Sequence, residues 1–247
     1  MTDSIQAAAD ALRRARTITA MTGAGVSTAS GIPTFRGADG LWKKNRPELL
    51  ASREGFENDP RLVWEWYDWR RQVIRDAKPN PAHDVLAAWT RRPGFTLITQ
   101  NVDGLHEKAG ADPLIRLHGS IWHVRCWQPC DAGRRPWRDD TAPFPALPPK
   151  CPHCGDLVRP GVVWFGENLD HEDVAAATAA ARCDVFLTIG TSSVVYPAAG
   201  FVHQARSYGA VTIEINPETT EASGEVDISI RGKAEEVLVE LSSKFEV

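Results

Sequence analysis

The chain has 247 residues, close to the limit of what one hydrophobic core can organise, so we expect a single domain with inserted segments. A composition of 43% hydrophobic and 24% charged residues excludes a disordered or fibrous protein. The 28 Lys and Arg against 32 Asp and Glu leave a net charge of −4, which argues against nucleic acid as a partner because no general phosphate-binding surface exists.

The chain opens on a predicted helix over residues 4–16, a strand over residues 17–22 and a glycine-rich turn. In this turn, Gly23-Ala24-Gly25-Val26-Ser27, backbone amides can approach a phosphate closely. The third glycine of the usual dinucleotide motif is missing, and an ordinary strand-to-helix turn fits the same residues. The irregular loop over residues 30–37 carries an aromatic and a cation, which favours closure over a ligand.

A tryptophan-rich segment predicts a helix over residues 59–77 that stops before Pro79-Asn80-Pro81. Further strands are predicted over residues 95–99, 114–117, 184–189 and 211–215. Most of these strands are continuous apolar runs, which suit a parallel sheet covered on both faces. The sequence therefore predicts an α/β fold built on a doubly wound parallel sheet.

Two cysteine pairs, Cys126/Cys130 and Cys151/Cys154, interrupt this pattern within residues 122–160, a proline-rich segment with little regular periodicity. Four thiolates without an open position predict one structural Zn²⁺ whose binding supplies the folding energy that the segment lacks. The spacing in the first pair is one residue longer than usual, and His123 or His153 could replace a thiolate. The fifth cysteine, Cys183, is interpreted as a small buried hydrophobic residue.

Polar fragments follow several of the predicted strands. They are Gln100-Asn101-Val102-Asp103, Leu117-His118-Gly119-Ser120, Gly190-Thr191-Ser192-Ser193 and Asn216-Pro217-Glu218. A parallel sheet gathers such fragments at its carboxyl edge, where ligands of open α/β sheets bind. Hydroxyl and amide groups suit hydrogen bonding to ribose and phosphate, although each fragment alone also fits an ordinary polar loop.

Taken together, several motifs resemble the sirtuin family in order and spacing over essentially the whole chain. They are GAGVSTASGIPTFRG, TQNVDGLH, LHGS, the cysteine pairs, RPGVVWFGE and GTSSVVYPAAG. The resemblance implies an NAD-dependent protein-lysine deacylase with a Rossmann-like sheet domain and a small zinc-ribbon domain. It divides the chain into a large part over about residues 1–121 and 161–247, a helical insert over about 38–90 and a zinc-ribbon insert over about 122–160.

The resemblance also implies roles for individual residues. His118 matches the general base, Asn101 and Asp103 match the nicotinamide pocket, Phe35 shields the reactive carbon from water, and Arg36 meets charge on the cofactor. The full set implied to bind NAD is Gly23, Ala24, Gly25, Ser27, Thr34, Phe35, Arg36, Trp42, Gln100, Asn101, Val102, Asp103, Gly190, Thr191, Ser192, Asn216, Pro217, Glu218 and Ala234.

Residues 163–167 resemble the strand to which an extended acyl-lysine peptide adds, and an ordinary edge strand fits the same residues. The implied peptide contacts are Val163, Phe165, Gly166 and Glu167, with Val194 on the other side. The expected partners are acyl-lysine proteins or peptides.

The acyl group itself is suggested by Tyr67 and Arg70, which lie three residues apart on the tryptophan-rich helix and so share a face. Their segment is similar to that of the sirtuin branch that prefers succinyl- and malonyl-lysine, in which Tyr and Arg bind the distal carboxylate. Ala51 matches a small residue that leaves room for the longer chain. An exposed surface pair on a general deacetylase is the alternative.

Two other functions are considered: mono-ADP-ribosyl transfer from the same activated NAD, and a non-catalytic zinc-ribbon binding module. No apolar stretch is long enough to span a bilayer, and the first residues carry no secretory signal. We therefore expect a cytoplasmic monomer without a membrane partner.

Overall fold

The computed structural model describes residues 2–35, 40–41, 46–128, 130–132 and 135–245. The strands are β1 (Ile18–Thr22), β2 (Phe95–Thr99), β3 (Leu114–Arg116), β4 (Gly119–Cys126), β5 (Trp137–Arg138), β6 (Val158–Val162), β7 (Val185–Ile189), β8 (Val211–Ile215) and β9 (Ile228–Ile230). The helices are α1 (Thr2–Arg14), a 3-10 helix (Ala24–Ser30), α2 (Pro47–Leu50), α3 (Arg53–Asn58), α4 (Pro60–Asp76), α5 (Pro81–Thr90), α6 (Leu105–Lys108), α7 (His171–Ala180), α8 (Gly200–Ser207) and α9 (Ala234–Phe245).

The large sheet is parallel throughout, with the strand order β3-β2-β1-β7-β8-β9. The chain builds outward from β1 in one direction and from β7 in the other, so the order reverses between these two strands. This is the doubly wound Rossmann order, in which ligands bind beyond the carboxyl ends of the strands at the point of reversal.

Successive residues of the central strands face opposite sides of the sheet, and both sides are covered. Ala20 and Leu187 pack with α1, α5 and α9 on one side, whereas Met21 and Phe186 pack with α7 and α8 on the other. Two buried sides explain the continuous apolar runs in the sequence. The predicted strands over residues 95–99 and 211–215 are found with those bounds, and the others shift by one residue at one end.

Helix α4 carries the tryptophan-rich segment. It starts where Pro60 occupies the first turn and the Asp59 carboxylate accepts a hydrogen bond from the Leu62 amide at 2.9 Å. It ends at Asp76, close to the predicted end, because the Pro79-Asn80-Pro81 segment starts α5 with its own Asn80 cap.

The segment that holds the cysteines is more regular than its sequence predicts. Strands β5, β4 and β6 form a three-stranded antiparallel sheet, and residues of this sheet share a second hydrophobic core with α4. The expectation that residues 122–160 are held by something other than a core is therefore wrong, because residues of β4 and β6 share this core with α4. The short strands are stabilised by packing on α4, and the sequence of the segment alone does not show this.

Arg71 joins the two inserts into one small unit. Its fully buried guanidinium donates to the carbonyl oxygen of Ile121 at 3.0 Å and to that of Thr141 at 3.1 Å, while it stacks on Phe144. Helix α5, by contrast, packs against α9 and the core of the large sheet. The division of the chain into three parts stays a prediction.

Among the described residues, no helix is both long and apolar enough to span a membrane.

Candidate active site

A cleft of about 1790 Å³ runs along the carboxyl ends of the central strands, at the point where the strand order reverses. One wall comes from the loops after β1, β2, β7 and β8, and the other comes from α4 and the segment after β6. The cleft therefore lies between the large sheet and the small unit. A cavity in this position of a doubly wound sheet is a dinucleotide-sized site.

The loops after β1 and β7 touch backbone to backbone. The Gly25 amide donates to the Gly190 carbonyl oxygen at 2.8 Å. A Cβ atom on Gly23 would lie 2.7 Å from the Thr191 Cβ, and one on Gly25 would lie 2.8 Å from the Gly190 Cα. The glycines are therefore required for this close approach, which leaves their loops lining the floor of the cleft.

His118 lines the cleft directly after β3, and its tautomer follows from one hydrogen bond. Its Nδ1 lies 2.9 Å from the Gln100 carbonyl oxygen, which can only accept, so Nδ1 carries the proton. Nε2 is left with a lone pair. Burial lowers the pKa of His118, and the hydrogen bond to Gln100 offsets only part of this effect. The imidazole is thus a neutral base at physiological pH.

Behind the cleft wall lies a buried polar network. Ser27 donates to Asp103 at 2.7 Å, and the Asn101 side-chain amide donates to the Gly23 carbonyl oxygen at 3.1 Å. Asn101 lines the cleft, whereas Ser27 and Asp103 are buried and do not. The two residues are thus placed to support the wall from behind, and their predicted contact with NAD stays a prediction.

Two buried histidines complete this network, and neither was among the residues predicted from the sequence. The His83 and His106 rings lie 4.9 Å apart, and His106 Nε2 lies 2.9 Å from the Thr22 hydroxyl. Burial lowers the pKa of both to about 4. His106 ends the TQNVDGLH motif, which was the only signal in the sequence that could have pointed to it.

Helix α4 presents Tyr67 and Arg70 to the cleft, with Ala51 beside them. Tyr67 is 2% exposed and Arg70 is 6% exposed, so the alternative of an exposed surface pair is wrong. The guanidinium stacks on Phe35 and Trp66, at 4.6 Å and 4.9 Å from the ring centroids. Burial lowers the pKa of Arg70, and the charges of Tyr67 and Asp103 oppose only part of this effect. Within the described part of the chain no carboxylate lies close enough to form an ion pair with it.

Residues 163–167 leave β6 as an irregular segment, so the prediction of a strand there is wrong. The Val163 amide donates to the His118 carbonyl oxygen at 3.0 Å and the Phe165 amide to that of Ala51 at 2.9 Å. These two bonds hold the segment across the cleft without a continuous ladder. Phe165 forms a single bridge to Ser52, and its side chain is 46% exposed at the rim.

Most of the other predicted contacts also line the cleft. For the cofactor these are Ala24, Thr34, Phe35, Gln100, Val102, Thr191, Ser192, Asn216, Pro217, Glu218 and Ala234, and for the peptide Val163, Gly166, Glu167 and Val194. Arg36 and Trp42 lie outside the described residues. Lining a cleft is not contact with a ligand, so the individual roles stay predictions.

The four paired cysteines converge at the far end of the ribbon. Their sulfur atoms lie within 4.8 Å of one another, with 3.6 Å between Cys126 and Cys130 and 3.8 Å between Cys126 and Cys154. A tetrahedral Zn²⁺ with four thiolates at about 2.3 Å requires sulfur atoms about 3.8 Å apart. The amide of His153 donates to Cys151 Sγ at 3.4 Å, as suits a thiolate. The donor set therefore fits a structural zinc ion, without His123, His153 or Cys183.

Comparison with known proteins agrees with this geometry. Residues 23–197 match the model of the Sir2 family. A relative from Aquifex aeolicus named "NAD-dependent protein deacylase" is 51% identical over 219 residues, covering 88% of this chain and 90% of the relative. A structure described as a Sir2 homolog–NAD complex has a TM-score of 0.90 at 44% identity, covering 98% of this chain and 93% of that chain.

A more distant structure, described as Sir2Af2 bound to a myristoylated histone peptide, has a TM-score of 0.79 at 32% identity and covers 100% of this chain and 98% of that chain.

The fold and the cleft define a Rossmann-like dinucleotide-binding protein with a cysteine ribbon. The chain belongs to the Sir2 family, because the family model matches most of it and close relatives span nearly its whole length. The predicted fold class and the resemblance to sirtuins are confirmed.

Proposed function

We propose that this protein is an NAD-dependent protein-lysine deacylase that removes acidic acyl groups, succinyl and malonyl, from lysine side chains. The coarser part, NAD-dependent protein deacylation, is supported by the family match and by relatives that carry this name. The acidic-acyl preference rests on one observation, which is the buried Arg70 guanidinium in the cleft without an anionic partner among the described residues.

The position of Arg70 favours an anionic ligand for an energetic reason. A buried guanidinium without a carboxylate at ion-pair distance carries a large desolvation cost, which the stacking on Phe35 and Trp66 and the more distant charge of Asp103 offset only in part. A carboxylate can form a bidentate pair with it, whereas an acetyl group cannot. Ala51 keeps the adjoining wall small, which leaves space for a chain longer than acetyl. Deacetylation at a lower rate is compatible with the same pocket.

Bound NAD supplies a ribose carbon from which nicotinamide can leave, and the chain positions the groups around it. The free Nε2 of His118 would accept a proton from a ribose hydroxyl, since its Nδ1 is fixed on Gln100. The amide side chain of Asn101 is held by Gly23, which orients it at the cleft wall. Phe35 would shield the reactive ribose carbon from premature attack by water. With one water molecule consumed to release the lysine, the products would be free lysine, nicotinamide and O-acyl-ADP-ribose.

The experiment is to compare deacylation of succinyl-, malonyl- and acetyl-lysine forms of one peptide, with NAD and without it, reading the acylated ADP-ribose by mass. In Arg70→Met we expect kcat/KM for the succinyl peptide to fall by about 100-fold or more while that for the acetyl peptide changes little. Arg61→Met is the matched control, because Arg61 is exposed on the same helix and lies outside the cleft. Equal loss with both peptides in Arg70→Met would contradict the acidic-acyl assignment.

The two alternative functions are not favoured by the family match or by the cleft. Two further measurements separate them from deacylation. Adenine-labelled NAD that remains covalently on protein would indicate ADP-ribosyl transfer. An absence of NAD binding would indicate a non-catalytic binding module.

A further inference from the structure

Trp164 lines the cleft together with Tyr67 and Arg70, and its contact with Tyr67 has a fixed direction. Its Nε1 lies 3.0 Å from the Tyr67 hydroxyl oxygen. An indole N–H can only donate, so the phenol oxygen accepts this hydrogen bond. The phenol retains its own proton, and no acceptor for that proton lies within hydrogen-bond distance among the described residues. Burial raises the pKa of Tyr67, so the phenol stays protonated.

The direction of the phenol proton follows from this contact. A phenol hydrogen lies near the plane of its ring, and the side that faces Trp164 is occupied by the indole N–H. Tyr67 lines the same cleft as Arg70, whose guanidinium carbon lies 6.0 Å from the Tyr67 ring centroid. The phenol proton therefore points away from Trp164 and is available to a group bound in the cleft that Tyr67 and Arg70 both line.

Trp164 is itself held by an ion pair. The Arg159 guanidinium stacks on its ring with 3.5 Å to the centroid and also pairs with the Glu167 carboxylate. The same carboxylate accepts a hydrogen bond from the Trp164 amide at 2.9 Å. Arg159 is 2% exposed and Trp164 is also 2% exposed, so the indole is fixed on both its ring and its backbone.

We infer that Trp164 is a positioning residue for acidic-acyl selectivity: its indole N–H occupies the acceptor side of the Tyr67 hydroxyl and turns the phenol proton toward the distal carboxylate of the substrate. This inference rests on the proposed function. An acetyl group has no distal carboxylate to receive the proton, so the contact affects only acidic substrates. Trp164 acts through Tyr67 and is not itself a catalytic residue.

The test is a double-mutant cycle on Trp164→Phe and Tyr67→Phe, with succinyl- and acetyl-lysine forms of one peptide. Each single change is expected to lower the ratio of kcat/KM for the succinyl peptide to kcat/KM for the acetyl peptide about 10-fold, mainly through the KM of the succinyl peptide. The double variant is expected to match either single variant, because both changes remove the same proton contact. Trp127→Phe is the matched control, since Trp127 packs near Trp164 but lies outside the cleft.

The outcomes separate this inference from the proposed function. Suppose that Arg70→Met loses succinyl activity selectively. If Trp164→Phe then keeps the wild-type ratio of succinyl to acetyl activity, or if the two changes in the cycle are additive, the role of Trp164 is overturned and the proposed function stands. If Arg70→Met lowers both activities equally, the proposed function fails and the inference fails with it.

A second measurement needs no activity and does not depend on whether Trp164→Phe folds. The chain has nine tryptophans, so ¹⁵N-tryptophan labelling gives nine indole signals. In Tyr67→Phe one indole proton is expected to move upfield, because Nε1 loses its acceptor. If no indole signal moves, the hydrogen bond and the inference are overturned.

Discussion

At the scale of single residues, His118 shows how its surroundings leave a common side chain neutral and able to accept a proton. It is one of seven histidines in the chain, and composition gives no reason to choose it. The structure places it in the cleft, fixes its Nδ1–H on Gln100 and leaves Nε2 free to accept a proton. The burial that removes water from the ring also lowers its pKa.

The pH dependence of turnover is therefore predicted from His118. The neutral imidazole is the active form, so kcat/KM for NAD rises with pH as His118 loses its proton. Because burial lowers the pKa below the ordinary value of 6.5, the midpoint of this acid limb is expected below pH 6.5. Initial rates of nicotinamide release between pH 4.5 and 8 measure it.

The variant His118→Tyr is expected to abolish turnover at every pH in that range while its thermal unfolding stays close to wild type. A midpoint above pH 6.5, or a variant with persistent activity, would refute the assignment of His118 as base.

Among the elements of the fold, the loops after β1 and β7 require glycine where they touch. Gly190 has φ of 60°, and a Cβ there would lie 2.6 Å from the Val26 amide nitrogen. Both the backbone conformation and the close contact therefore exclude a side chain.

We expect Gly190→Ala to lower the free energy of unfolding by about 2 kcal/mol and to weaken NAD binding, because the loop must move away from Val26. Urea unfolding and calorimetric titration with NAD measure the two effects. Gly224→Ala is the control, since a Cβ added at Gly224 would meet no atom within 4 Å and its φ is not positive. Equal effects of the two substitutions would show that the contact between the loops is unimportant.

The cysteine ribbon gives the second prediction at this scale. Cys151→Ser removes one of four thiolates, so the protein is expected to lose its zinc and to unfold at a lower temperature. Metal analysis and a thermal scan measure both. Cys183→Ala is the matched control, because Cys183 is buried away from the cluster and its loss should leave the zinc content unchanged. Unchanged zinc in Cys151→Ser would overturn the proposed ligand set.

The sequence predicts some elements better than others, and the reason is local. The strands over residues 95–99 and 211–215 are isolated apolar runs whose pattern is complete within five residues. By contrast, the segment over residues 163–167, for which the family resemblance implied a strand, is held across the cleft by single bonds to His118 and Ala51. Those partners are distant in sequence, so the sequence of the segment does not show that it forms no strand.

For the whole molecule, two cores meet across one cleft. The large sheet brings the loops after β1, β2, β7 and β8 to one wall, and the small unit brings α4 and the segment after β6 to the other. The buried pair His83 and His106 lies behind the wall that the large sheet provides. The two histidines do not line the cleft, and they affect the stability of the folded protein.

Acid is predicted to destabilise the folded protein through this pair. The ordinary pKa of histidine, 6.5, applies when the chain is unfolded, and burial lowers the folded value to about 4 for both residues. Between these values the unfolded chain binds more protons, so stability is complete above pH 6.5 and falls as the pH drops toward 4. For a single histidine with these two pKa values the loss at pH 5 is about 2 kcal/mol.

Urea unfolding at pH 7, 6 and 5 measures this dependence. His106→Gln is expected to show a smaller loss between pH 7 and 5 than wild type, which separates the effect from other acid-sensitive groups. The same loss in both proteins would mean that His106 does not contribute.

The sequence by itself determined the α/β class, the positions of the central strands, the four cysteines and, through its motifs, the family, because each of these is encoded in a short, continuous pattern. The tertiary structure alone decided that Arg70 is buried in the cleft without an anionic partner in the described chain, and that Trp164 donates to Tyr67. It also placed Ser27 and Asp103 behind the cleft wall. Burial and hydrogen-bond direction depend on residues far apart in the chain, and only folding brings these residues together.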